Sequence, residues 1–338
     1  MRISYLFNSS LPSTNPGSLQ VIKTCEAINN KSNKVFLITP NTGINKNIKK
    51  FYGLKNVPTI KKLKYFKSFP QGINYYLFSL FSIIYAISIR TEIYITRNLF
   101  TLFILILLKK KTVIEIHHDL ANEGRIVKFL YNSIRLFNSK NIIKIVAITN
   151  SVKKYLIKKH NVNKKKITII PSASDLKLRF KKFKLKKSYK IGYFGSLEKS
   201  KGSDFIIKLS KLDKKNRYYI YGGDSKTVLN LKKKIFFKNL NIIEYIPYNR
   251  LSFYIEKMDI VLMPSNRNTL RSIGGVGNIS KYTSPLKLFD YLASGKLIIT
   301  SKLKVFEEII KNKENCIMVK KLNTNLWLST IKKLKNRV

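Results

Sequence analysis

The sequence predicts an α/β protein with two doubly wound domains in tandem. Short, continuous apolar runs alternate with amphipathic stretches along the chain, a pattern typical of a parallel sheet whose two faces are covered by helices. The pattern stops at the basic stretch RFKKFKLKKSYK (179–190) and then starts again. A chain of 338 residues is long enough for two domains of ordinary size. We therefore predict an N-terminal domain at 1–180, a basic linker at 181–189 and a C-terminal domain at 190–338.

Each predicted strand is a short, mainly apolar run that ends at a turn, a glycine or a polar residue. In the first domain these runs are RISYLF (2–7), KVFLIT (34–39), EIYIT (92–96), TVIEIH (112–117), IVAIT (145–149) and ITIIP (167–171), with helices predicted at 17–31, 74–89, 98–109, 124–138 and 150–159. In the second domain they are KIGYFG (190–195), YYIYG (218–222), NIIEYI (241–246), IVLMP (260–264) and LIITS (297–301), with helices predicted at 202–211, 225–236, 250–257, 284–294 and 303–311.

The charge of the chain is strongly positive: 66 Lys and Arg stand against 17 Asp and Glu, which gives a net charge of +49. An AT-rich coding sequence explains the abundance of Lys, Ile, Asn, Phe and Tyr, but it does not explain the scarcity of acids. Such a charge favours polyanionic partners, namely nucleic acid, an anionic membrane surface or phosphorylated small molecules. The basic residues are spread over the whole chain and no RNA-binding module is visible, so we predict no specific nucleic-acid partner.

The cysteines and the apolar segments bear on the cellular compartment. Cys25 and Cys316 lie far apart with no paired spacing, which indicates a reducing compartment and excludes a zinc site built from cysteines. The apolar stretches 75–89 and 99–108 are shorter than the ~20 residues that span a bilayer. They are interpreted as buried core helices or as a surface that contacts a membrane. The N-terminal apolar run has only the length of a strand, so no secretory signal is predicted.

The loop after the first strand of the second domain is a candidate phosphate site. In YFGSLEKSKGSDF (193–205) the strand ends at Gly195, a short polar loop follows, and Lys201 and Gly202 open a helix. Glycine lets a backbone approach a ligand closely, lysine supplies a positive charge, and a helix N-terminus favours an anion. An ordinary strand-to-helix turn with a solvated lysine is the alternative. The loop matches neither Walker A nor GxGxxG.

The helix predicted at 284–294 begins with residues that suit an anion and also carries an acid. Ser284 can cap the free N–H groups, Pro285 fits the first helical position, and Lys287 places positive charge in the first turn. A lysine there is unfavourable unless an anion is bound. Asp290 follows three residues later on the same face. Either the two residues form a weak i,i+3 pair, or a diphosphate binds at the helix start and Asp290 accepts hydrogen bonds from sugar hydroxyls.

In the first domain, EIHHDL (115–120) places two adjacent histidines at a strand end. Neighbouring strand residues point to opposite faces, so a shared metal is a poor fit, and the chain has no D-x-D pair to hold Mn²⁺ or Mg²⁺. We therefore expect no metal. His117 and His118 are either hydrogen-bond donors to a substrate or structural histidines. Gly17 and Ser18 open the first helix and form a second helix start that suits an anion.

These motifs, in this order, resemble those of bacterial family 4 (group 1) glycosyltransferases of the GT-B fold, over nearly the whole chain. In the first domain the similar stretches are YITRN (94–98), EIHHDL, IVAITNSVKKYL (145–156) and IIPSASD (169–175). In the second they are GYFGSLEKSKG (192–202), MDIVLMPS (258–265) and SPLKLFDYLASGKLIIT (284–300), of which the last is the most specific. The resemblance implies two Rossmann-like domains that face each other across a cleft, the first on the acceptor side and the second binding a nucleotide sugar.

The resemblance also implies roles for individual residues. The helix start would bind the donor diphosphate through backbone N–H groups, Asp290 would bind the nucleotide ribose, and Lys201 would stabilise the leaving diphosphate. His117, in an E-x-H pattern, would contact the donor sugar. The implied catalytic residues are thus His117, Lys201 and Asp290; the donor-binding residues are Gly195, Ser196, Gly202, Ile246, Ser284, Pro285, Leu286 and Lys287; and the acceptor or phosphate loop contains Gly17, Ser18 and Arg97.

The implied reaction transfers a sugar from a nucleotide diphosphate sugar, with retention at the anomeric carbon and without a metal or other cofactor. The acceptor would be a saccharide or lipid-linked saccharide in surface polysaccharide synthesis, such as that of lipopolysaccharide or capsule. The lysine-rich stretch 47–67 beside the apolar stretch 75–89 fits docking on the anionic inner face of the cell membrane. The expected location is therefore cytoplasmic and peripheral to that membrane.

Two positions depart from the family pattern. Tyr282 stands where the first of two acids eight residues apart is usual, with Asp290 at the second, and Ser196 stands where a basic residue often follows the loop glycine. An inactive transferase-like protein therefore stays open. A non-enzymatic polyanion-binding protein is the alternative that charge alone supports. A nucleotide-sugar epimerase would need catalytic acids in the cleft, and this chain has few.

Overall fold

A computed structural model describes residues 1–29, 32–43, 47–66, 68–119, 129, 136–177, 183–235, 237–271 and 277–334. The chain forms two compact units, Met1–Pro171 and Ser172–Val338. Each unit contains a parallel sheet with helices, so the predicted α/β class with two Rossmann-like units is confirmed. The predicted helix at 124–138 lies outside the described residues, except for Phe129 and a 3₁₀ turn at its end, and so does the start of the linker predicted at 181–189.

The strands of the N-terminal unit form one parallel sheet. They are β1 (Arg2–Leu6), β2 (Lys34–Asn41), β3 (Thr59–Lys64), β4 (Ile93–Thr96), β5 (Thr112–Ile116), β6 (Ile142–Ala147) and β7 (Ile167–Ile169). Their order is β3-β2-β1-β4-β5-β6-β7, so the chain starts inside the sheet and the winding direction changes between β1 and β4. The sequence pattern does not predict β3, because TIKKLK holds three lysines at the sheet edge and no continuous apolar run.

Three helices of the N-terminal unit begin directly after a side chain that caps them. They are α1 (Pro16–Asn29), α2 (Ile48–Tyr52), α3 (Gln71–Ser88), α4 (Leu99–Leu107) and α5 (Asn150–His160). The side chains of Asn47, Asn98 and Thr149 each accept a backbone N–H of the helix that follows. Phe78 and Ala86 of α3 pack in a core cluster with residues of β1, β2 and β4. None of the described helices is long and apolar enough to cross a membrane.

The C-terminal unit repeats this plan with a six-stranded parallel sheet. Its strands are β8 (Lys190–Phe194), β9 (Arg217–Tyr221), β10 (Leu240–Ile243), β11 (Ile260–Met263), β12 (Leu297–Ser301) and β13 (Ile317–Val319). The order is β10-β9-β8-β11-β12-β13, so the winding direction changes between β8 and β11, where Ile191 pairs with Ile260. The sequence pattern does not predict β13 because three residues are too few to show a periodicity.

The helices of this unit agree with the sequence prediction except at 303–311 and at 324–333, where the sequence pattern does not predict the last helix. They are α6 (Ser203–Leu212), α7 (Ser225–Lys234), α8 (Tyr248–Glu256), α9 (Leu286–Ala293) and α10 (Thr324–Lys333). The helix predicted at 303–311 is wrong, because the 3₁₀ turn Lys304–Glu308 stands there. The apolar residues have helical spacing, but the N–H of Phe306 bonds to the carbonyl of Leu303, three residues back, and no side chain caps the turn.

Candidate functional site

The loops after β8 and β11 meet at the carboxyl edge of the C-terminal sheet. The two strands are parallel neighbours, so their carboxyl ends lie side by side. The N–H of Asn266 donates to the carbonyl of Ser200 at 3.0 Å and joins the two loops. Gly202 has a φ of 85°, and a Cβ there would lie 1.9 Å from the carbonyl oxygen of Pro264. Only glycine fits so close an approach, so the two backbones hold each other in place.

The first part of the β8 loop is fixed by a second close contact. A Cβ at Gly222 would lie 1.8 Å from the carbonyl oxygen of Gly195, whose N–H donates to the carbonyl of Tyr221 at 2.9 Å. The hydroxyl of Tyr193 donates to the carbonyl of Ser196 at 2.8 Å. The side-chain oxygen of Ser196 is buried and has no hydrogen-bond partner among the described residues. The loop therefore combines a fixed backbone with an unpaired hydroxyl.

Lys287, in the first turn of α9, extends to this loop. Its Nζ lies 4.2 Å from the centre of the Tyr193 ring, and a Cβ at Gly195 would lie 2.7 Å from the same nitrogen. The pKa of Lys287 is lowered to about 7, first by burial and then by the positive charge of Lys201, while Glu198 acts in the opposite direction. The ammonium nitrogen of Lys287 and the ring of Tyr193 are thus packed together beside Gly195 of the loop.

Lys201 supplies a second positive charge beside the same loop. It belongs to the 3₁₀ turn Lys199–Lys201, directly before α6. Its Nζ lies 3.8 Å from Oε2 of Glu198. Burial lowers the pKa of Lys201, and Glu198 partly opposes that shift. Lys201 and Lys287 therefore share one carboxylate within the described part of this loop, and the surplus positive charge favours an anion.

The start of α9 differs from the sequence prediction. Pro285 has a φ of −73° and a ψ of 127°, so it precedes the helix, which begins at Leu286 without a side-chain cap. The capping role predicted for Ser284 is wrong. Its Oγ accepts the N–H of Ser172 at 3.1 Å, and its carbonyl accepts the hydroxyl of Ser172 at 2.7 Å. These two hydrogen bonds fix Ser284 to the first residue of the C-terminal unit. Among the described residues, no side chain caps the first turn of α9.

Asp290 lies on α9 with its side chain buried. The hydroxyl of Tyr248 donates to Asp175 at 2.8 Å and lies 3.5 Å from a carboxylate oxygen of Asp290. Burial raises the pKa of Asp290 to about 7; hydrogen bonds from Ser174 and Tyr248 lower it in part, and the charge of Asp175 raises it. The structure describes both Lys287 and Asp290, and the lysine nitrogen does not lie within 4.0 Å of a carboxylate oxygen of Asp290. The i,i+3 ion pair that the sequence left open is therefore not formed.

The remaining donor-side candidates lie near these two clusters. Leu286 and Ile246 are half-buried, and Ile246 packs against the core cluster that contains Leu288 and Tyr291 of α9. The structure thus divides the predicted residues into two groups. The β8-loop group contains Gly195, Ser196, Lys201, Gly202 and Lys287; the α9 group contains Ile246, Ser284, Pro285, Leu286 and Asp290.

In the N-terminal unit, the predicted residues meet beside the ends of β1 and β4. Nε of Arg97 donates to the hydroxyl of Tyr5 at 2.9 Å and to Oε2 of Glu115 at 2.8 Å. A Cβ at Gly17 would lie 3.6 Å from Nη1 of Arg97, so the start of α1 adjoins the guanidinium. The hydroxyl of Ser18 is buried and lacks a hydrogen-bond partner in the described part of the chain. A helix N-terminus and a cation therefore stand together here.

His117 belongs to the same cluster. Its Nε2 lies 3.3 Å from Oε2 of Glu115. Burial and then the charge of Arg97 lower the pKa of His117 to about 4, against the opposing effect of Glu115, so the imidazole is neutral at pH 7. Burial alone would raise the pKa of Glu115, but Arg97 and His117 hold it at about 2. The neighbouring His118 instead contacts the carbonyl of Asp119.

Six residues that organise these sites are absent from the sequence prediction: Tyr5, Glu115, Asp175, Tyr193, Glu198 and Tyr248. Three of them are acids inside the quoted stretches EIHHDL, IIPSASD and GYFGSLEKSKG, and the scarcity of acids in the chain is the signal that could have found them. The three tyrosines are among 19 in the chain, so tyrosine is too common for its position to serve as a signal. In the ranges that the structure describes, no three His, Cys, Asp or Glu side chains are grouped so that they could hold a metal ion.

Comparisons with known proteins identify the C-terminal part of the chain. Residues 174–337 match the family model described as glycosyl transferases group 1. A search of curated proteins found no significant match. Among solved structures, sucrose-phosphate synthase from Thermosynechococcus elongatus has a TM-score of 0.71 at 12% identity and covers 99% of this chain and 90% of its own. HepE from Anabaena, solved with UDP-glucose, has a TM-score of 0.66 at 13% identity, with 99% and 90% covered.

WaaG, a glycosyltransferase involved in lipopolysaccharide biosynthesis, has a TM-score of 0.65 at 10% identity, with 100% of this chain and 91% of WaaG covered. At such identities the likeness shows the fold alone, which is the GT-B fold of two Rossmann-like domains. The match to a family model covers residues of the C-terminal unit. The domain at 174–337 is thus similar to the glycosyl transferases of group 1, and the chain has the GT-B fold, which together support a transferase.

Proposed function

We propose that this protein transfers a sugar from a nucleoside diphosphate sugar to a saccharide or lipid-linked saccharide, with retention at the anomeric carbon and without a metal. The observation that carries the proposal is the pair Lys201 and Lys287. Both ammonium groups are partly buried at the carboxyl end of β8, and Glu198 is the carboxylate that acts on both. Buried positive charge in excess of its partners calls for an anion. The diphosphate of a nucleotide sugar is an anion of this kind, and HepE, a protein of similar fold, was solved with UDP-glucose.

The proposed reaction uses this positive charge directly. The bond between C1 of the sugar and the diphosphate breaks, and its electron pair stays on the diphosphate. The acceptor hydroxyl oxygen forms the new bond to C1 on the same face, and its proton passes to the departing diphosphate. Negative charge grows on the diphosphate as it leaves, so Lys201, Lys287 and the N–H groups at the start of α9 stabilise the transition state more than the bound substrate. That charge supports a mechanism without a metal.

Asp290 is our candidate for the ribose of the donor. Its carboxyl group is buried beside the hydroxyl of Tyr248. Ribose hydroxyls that donate to this group would favour its charged form, which burial disfavours in the free protein. Ile246, packed against the same core, would contact the base. The nucleoside would therefore lie along α9, and the diphosphate at its first turn.

The N-terminal unit would contribute two kinds of contact. His117 is neutral at pH 7 and held by Glu115, so it can donate one hydrogen bond to a sugar hydroxyl without adding charge. Gly17, Ser18 and Arg97 combine a helix N-terminus, a buried hydroxyl and a guanidinium. This combination suits a phosphate or another anionic group of donor or acceptor.

We further propose that this unit docks on an anionic membrane, as expected for a lipid-linked acceptor. The outer face of α3 carries an apolar stripe at helical spacing, exposed by 38% to 63%: Ile73, Leu80, Phe81, Ile84 and Ile87. The lysines of β3 lie beside this helix, and Nζ of Lys61 is 5.0 Å from the ring of Tyr85. An apolar stripe flanked by lysines matches the chemistry of an anionic lipid surface. The role of WaaG in lipopolysaccharide biosynthesis supports an acceptor at such a surface.

Co-sedimentation with vesicles tests this docking. Binding at physiological salt should be stronger to vesicles with phosphatidylglycerol than to phosphatidylcholine alone. The double variant Leu80→Ser/Ile84→Ser should lose most of it. Phe253→Ser, which changes an apolar side chain 54% exposed in the other unit, is the matched control. Equal binding to both vesicle types would refute the proposal.

The donor is tested by thermal shift and calorimetry with UDP-, GDP-, ADP- and CMP-sugars in EDTA. One donor class should stabilise the wild type, and Asp290→Ala should abolish that stabilisation. Glu314→Ala, which changes an exposed acid of the same unit, should leave it unchanged. Transfer itself is measured as release of the nucleoside diphosphate in the presence of saccharide acceptors. Stabilisation that needs a divalent cation would contradict the metal-free mechanism.

A polyanion-binding protein without activity is the second candidate, and the net charge of +49 is the observation that favours it. Such binding would depend steeply on salt and would not distinguish heparin from nucleic acid. No response to any nucleotide sugar, together with tight salt-sensitive binding to both polyanions, would replace the transferase proposal with this one.

A further inference from the structure

Tyr193 contacts both α9 and the β8 loop, each with a different part of its side chain. The residue is the last but one of β8 and is fully buried. One face of its ring lies 4.2 Å from Nζ of Lys287. Its hydroxyl donates to the carbonyl of Ser196 at 2.8 Å. One side chain thus touches both the lysine of α9 and the loop backbone.

We propose that Tyr193 is the positioning residue of the donor-phosphate site, holding the ammonium of Lys287 beside Gly195 and fixing the loop backbone at Ser196. This inference rests on the proposed function, because it concerns the same anion. It assigns a role to a residue that is not itself expected to touch the diphosphate. Its role is to place the groups that do.

The ring is needed because, among the described residues, few other groups hold the ammonium of Lys287 in place. The charged groups of this part of the chain that act on it are Lys201, which repels it, and Glu198, which attracts it. Glu198 already lies 3.8 Å from Lys201. The face of an aromatic ring attracts a cation and stands in for part of its lost hydration. Without the ring, we expect the flexible lysine side chain to leave the loop.

The position of Lys287 also accounts for Ser196, the residue that stands where a basic side chain is usual. A Cβ at Gly195, the preceding residue, would lie 2.7 Å from Nζ of Lys287. Lys287 of α9 therefore supplies the positive charge that the loop lacks at position 196. Its ammonium lies over the ring of Tyr193, so this single contact couples a residue of β8 to one of α9.

The hydroxyl has a separate task. By donating to the carbonyl of Ser196, it fixes the orientation of the peptide group that follows and hence the direction of the next N–H. Backbone N–H groups of such a loop bind phosphate oxygens only when they point to them. Ring and hydroxyl can be removed one at a time, so the two tasks can be measured separately.

Calorimetry with inorganic pyrophosphate and with UDP, GDP and ADP tests the proposal on the full chain. Tyr193→Phe keeps the ring and should weaken pyrophosphate binding about threefold. Tyr193→Leu loses ring and hydroxyl and should weaken it about thirtyfold. Tyr189→Phe, which removes a hydroxyl from the same buried cluster, is the matched control and should bind like wild type.

A double-mutant cycle distinguishes positioning from a general loss of structure. In a Lys287→Met background, Tyr193→Leu should cost no more than Tyr193→Phe costs in the wild type, because the cation that the ring holds is gone. Equal losses on Tyr193→Leu in both backgrounds would overturn the proposal, as would unchanged binding by both Tyr193 variants. If Tyr193→Leu does not fold, Tyr193→Phe is measured in the wild type alone, and unchanged binding by this variant would overturn the role of the hydroxyl. A wild type that binds none of the four ligands would instead overturn the proposed function.

Discussion

Lys287 and Asp290, three residues apart on α9, contact different parts of the C-terminal unit. Lys287 extends to the ring of Tyr193 on β8, and Asp290 faces the hydroxyl of Tyr248 on α8. Side chains of a helix lean towards its N-terminus, so the long lysine reaches the loop in front of α9 while the short carboxylate stays beside its own turn. One helix therefore holds a cation at the β8 loop and a carboxylate beside a tyrosine hydroxyl, the two groups that we propose bind the diphosphate and the ribose.

The two lysines of the β8-loop group, Lys201 and Lys287, should each be required for binding the diphosphate. Lys201→Met and Lys287→Met remove the charge but keep much of the side-chain volume, and each should weaken UDP or pyrophosphate binding by about ten- to a hundredfold. Lys199→Met changes an exposed lysine of the same turn and should have little effect. Calorimetry at constant ionic strength makes the comparison. An equal loss in all three variants would indicate a nonspecific effect of net charge.

Binding of the diphosphate should depend on pH through Lys287. In the free protein the pKa of this lysine is lowered to about 7, and a bound anion favours its charged form. Binding should therefore take up protons above pH 7, and the affinity should fall as the pH rises from 7 to 9. Calorimetry in buffers of different ionisation enthalpy measures the uptake. Lys287→Met serves as the control for titration of the ligand, and a slope that survives in this variant would assign the effect to another group.

Removal of the charge at Asp290 should change how stability depends on pH. The pKa of this group is raised from 3.8 to about 7 in the folded protein. Between these values the folded state holds a proton that the unfolded state has lost, so stability falls as the pH rises from about 4 to 7. Asp290→Asn lacks this loss and should gain up to about 4 kcal/mol relative to wild type over that range.

Urea unfolding followed by tryptophan fluorescence measures this difference, because the single tryptophan, Trp327, is buried in the same unit. Parallel stability curves for the two proteins between pH 4.5 and 7.5 would show that Asp290 titrates as it does in water.

Two glycines should respond differently to an added methyl group. Gly202→Ala places a Cβ against the backbone of Pro264 at a positive φ and should destabilise the C-terminal unit by more than about 2 kcal/mol. Gly17→Ala meets Asn15 at 3.4 Å and Arg97 at 3.6 Å and should fold normally. If Gly17 lets a phosphate approach closely, its variant should lose activity at unchanged Tm. Thermal unfolding and transfer assays on both variants test this, and full activity of Gly17→Ala would remove Gly17 from the site.

Glu115 should stabilise the N-terminal unit through Arg97. Nη2 of Arg97 lies 2.7 Å from Oε2 of Glu115, and both side chains are mostly buried. Glu115→Gln leaves the guanidinium without its carboxylate and should cost about 3 kcal/mol at pH 7. The folded pKa of Glu115, about 2, lies below its ordinary 4.5. The stabilisation is therefore complete above pH 4.5 and is lost as the pH falls towards 2.

Thermal unfolding by circular dichroism measures the loss, and Trp327 fluorescence serves as the internal control for the C-terminal unit. A Tm difference that stays the same from pH 7 to pH 3 would mean that the carboxylate charge is not the cause.

Local signals in the sequence were sufficient for the α/β class, the strands that are buried on both faces and the glycines of the β8 loop. Each of these rests on residues close together in the chain: an apolar run for a buried strand, or Gly195 and Gly202 after β8. The pattern failed at β3 and β13, where lysines or a length of three residues leave no such run. It was also wrong for Ser284, because the side chain of this residue accepts a hydrogen bond from the distant Ser172 and does not cap the helix.

The charged residues of the chain follow from its composition, and local patterns are enough to locate Lys201, Lys287 and Asp290 next to strand ends and helix starts. The partners of these residues depend on how the chain folds. The ring of Tyr193, the hydroxyl of Tyr248 and the carboxylate of Glu115 reach their partners because parallel strands bring distant segments to one edge of each sheet. A side-chain contact across such an edge depends on strand order and register, which no local pattern of residues encodes.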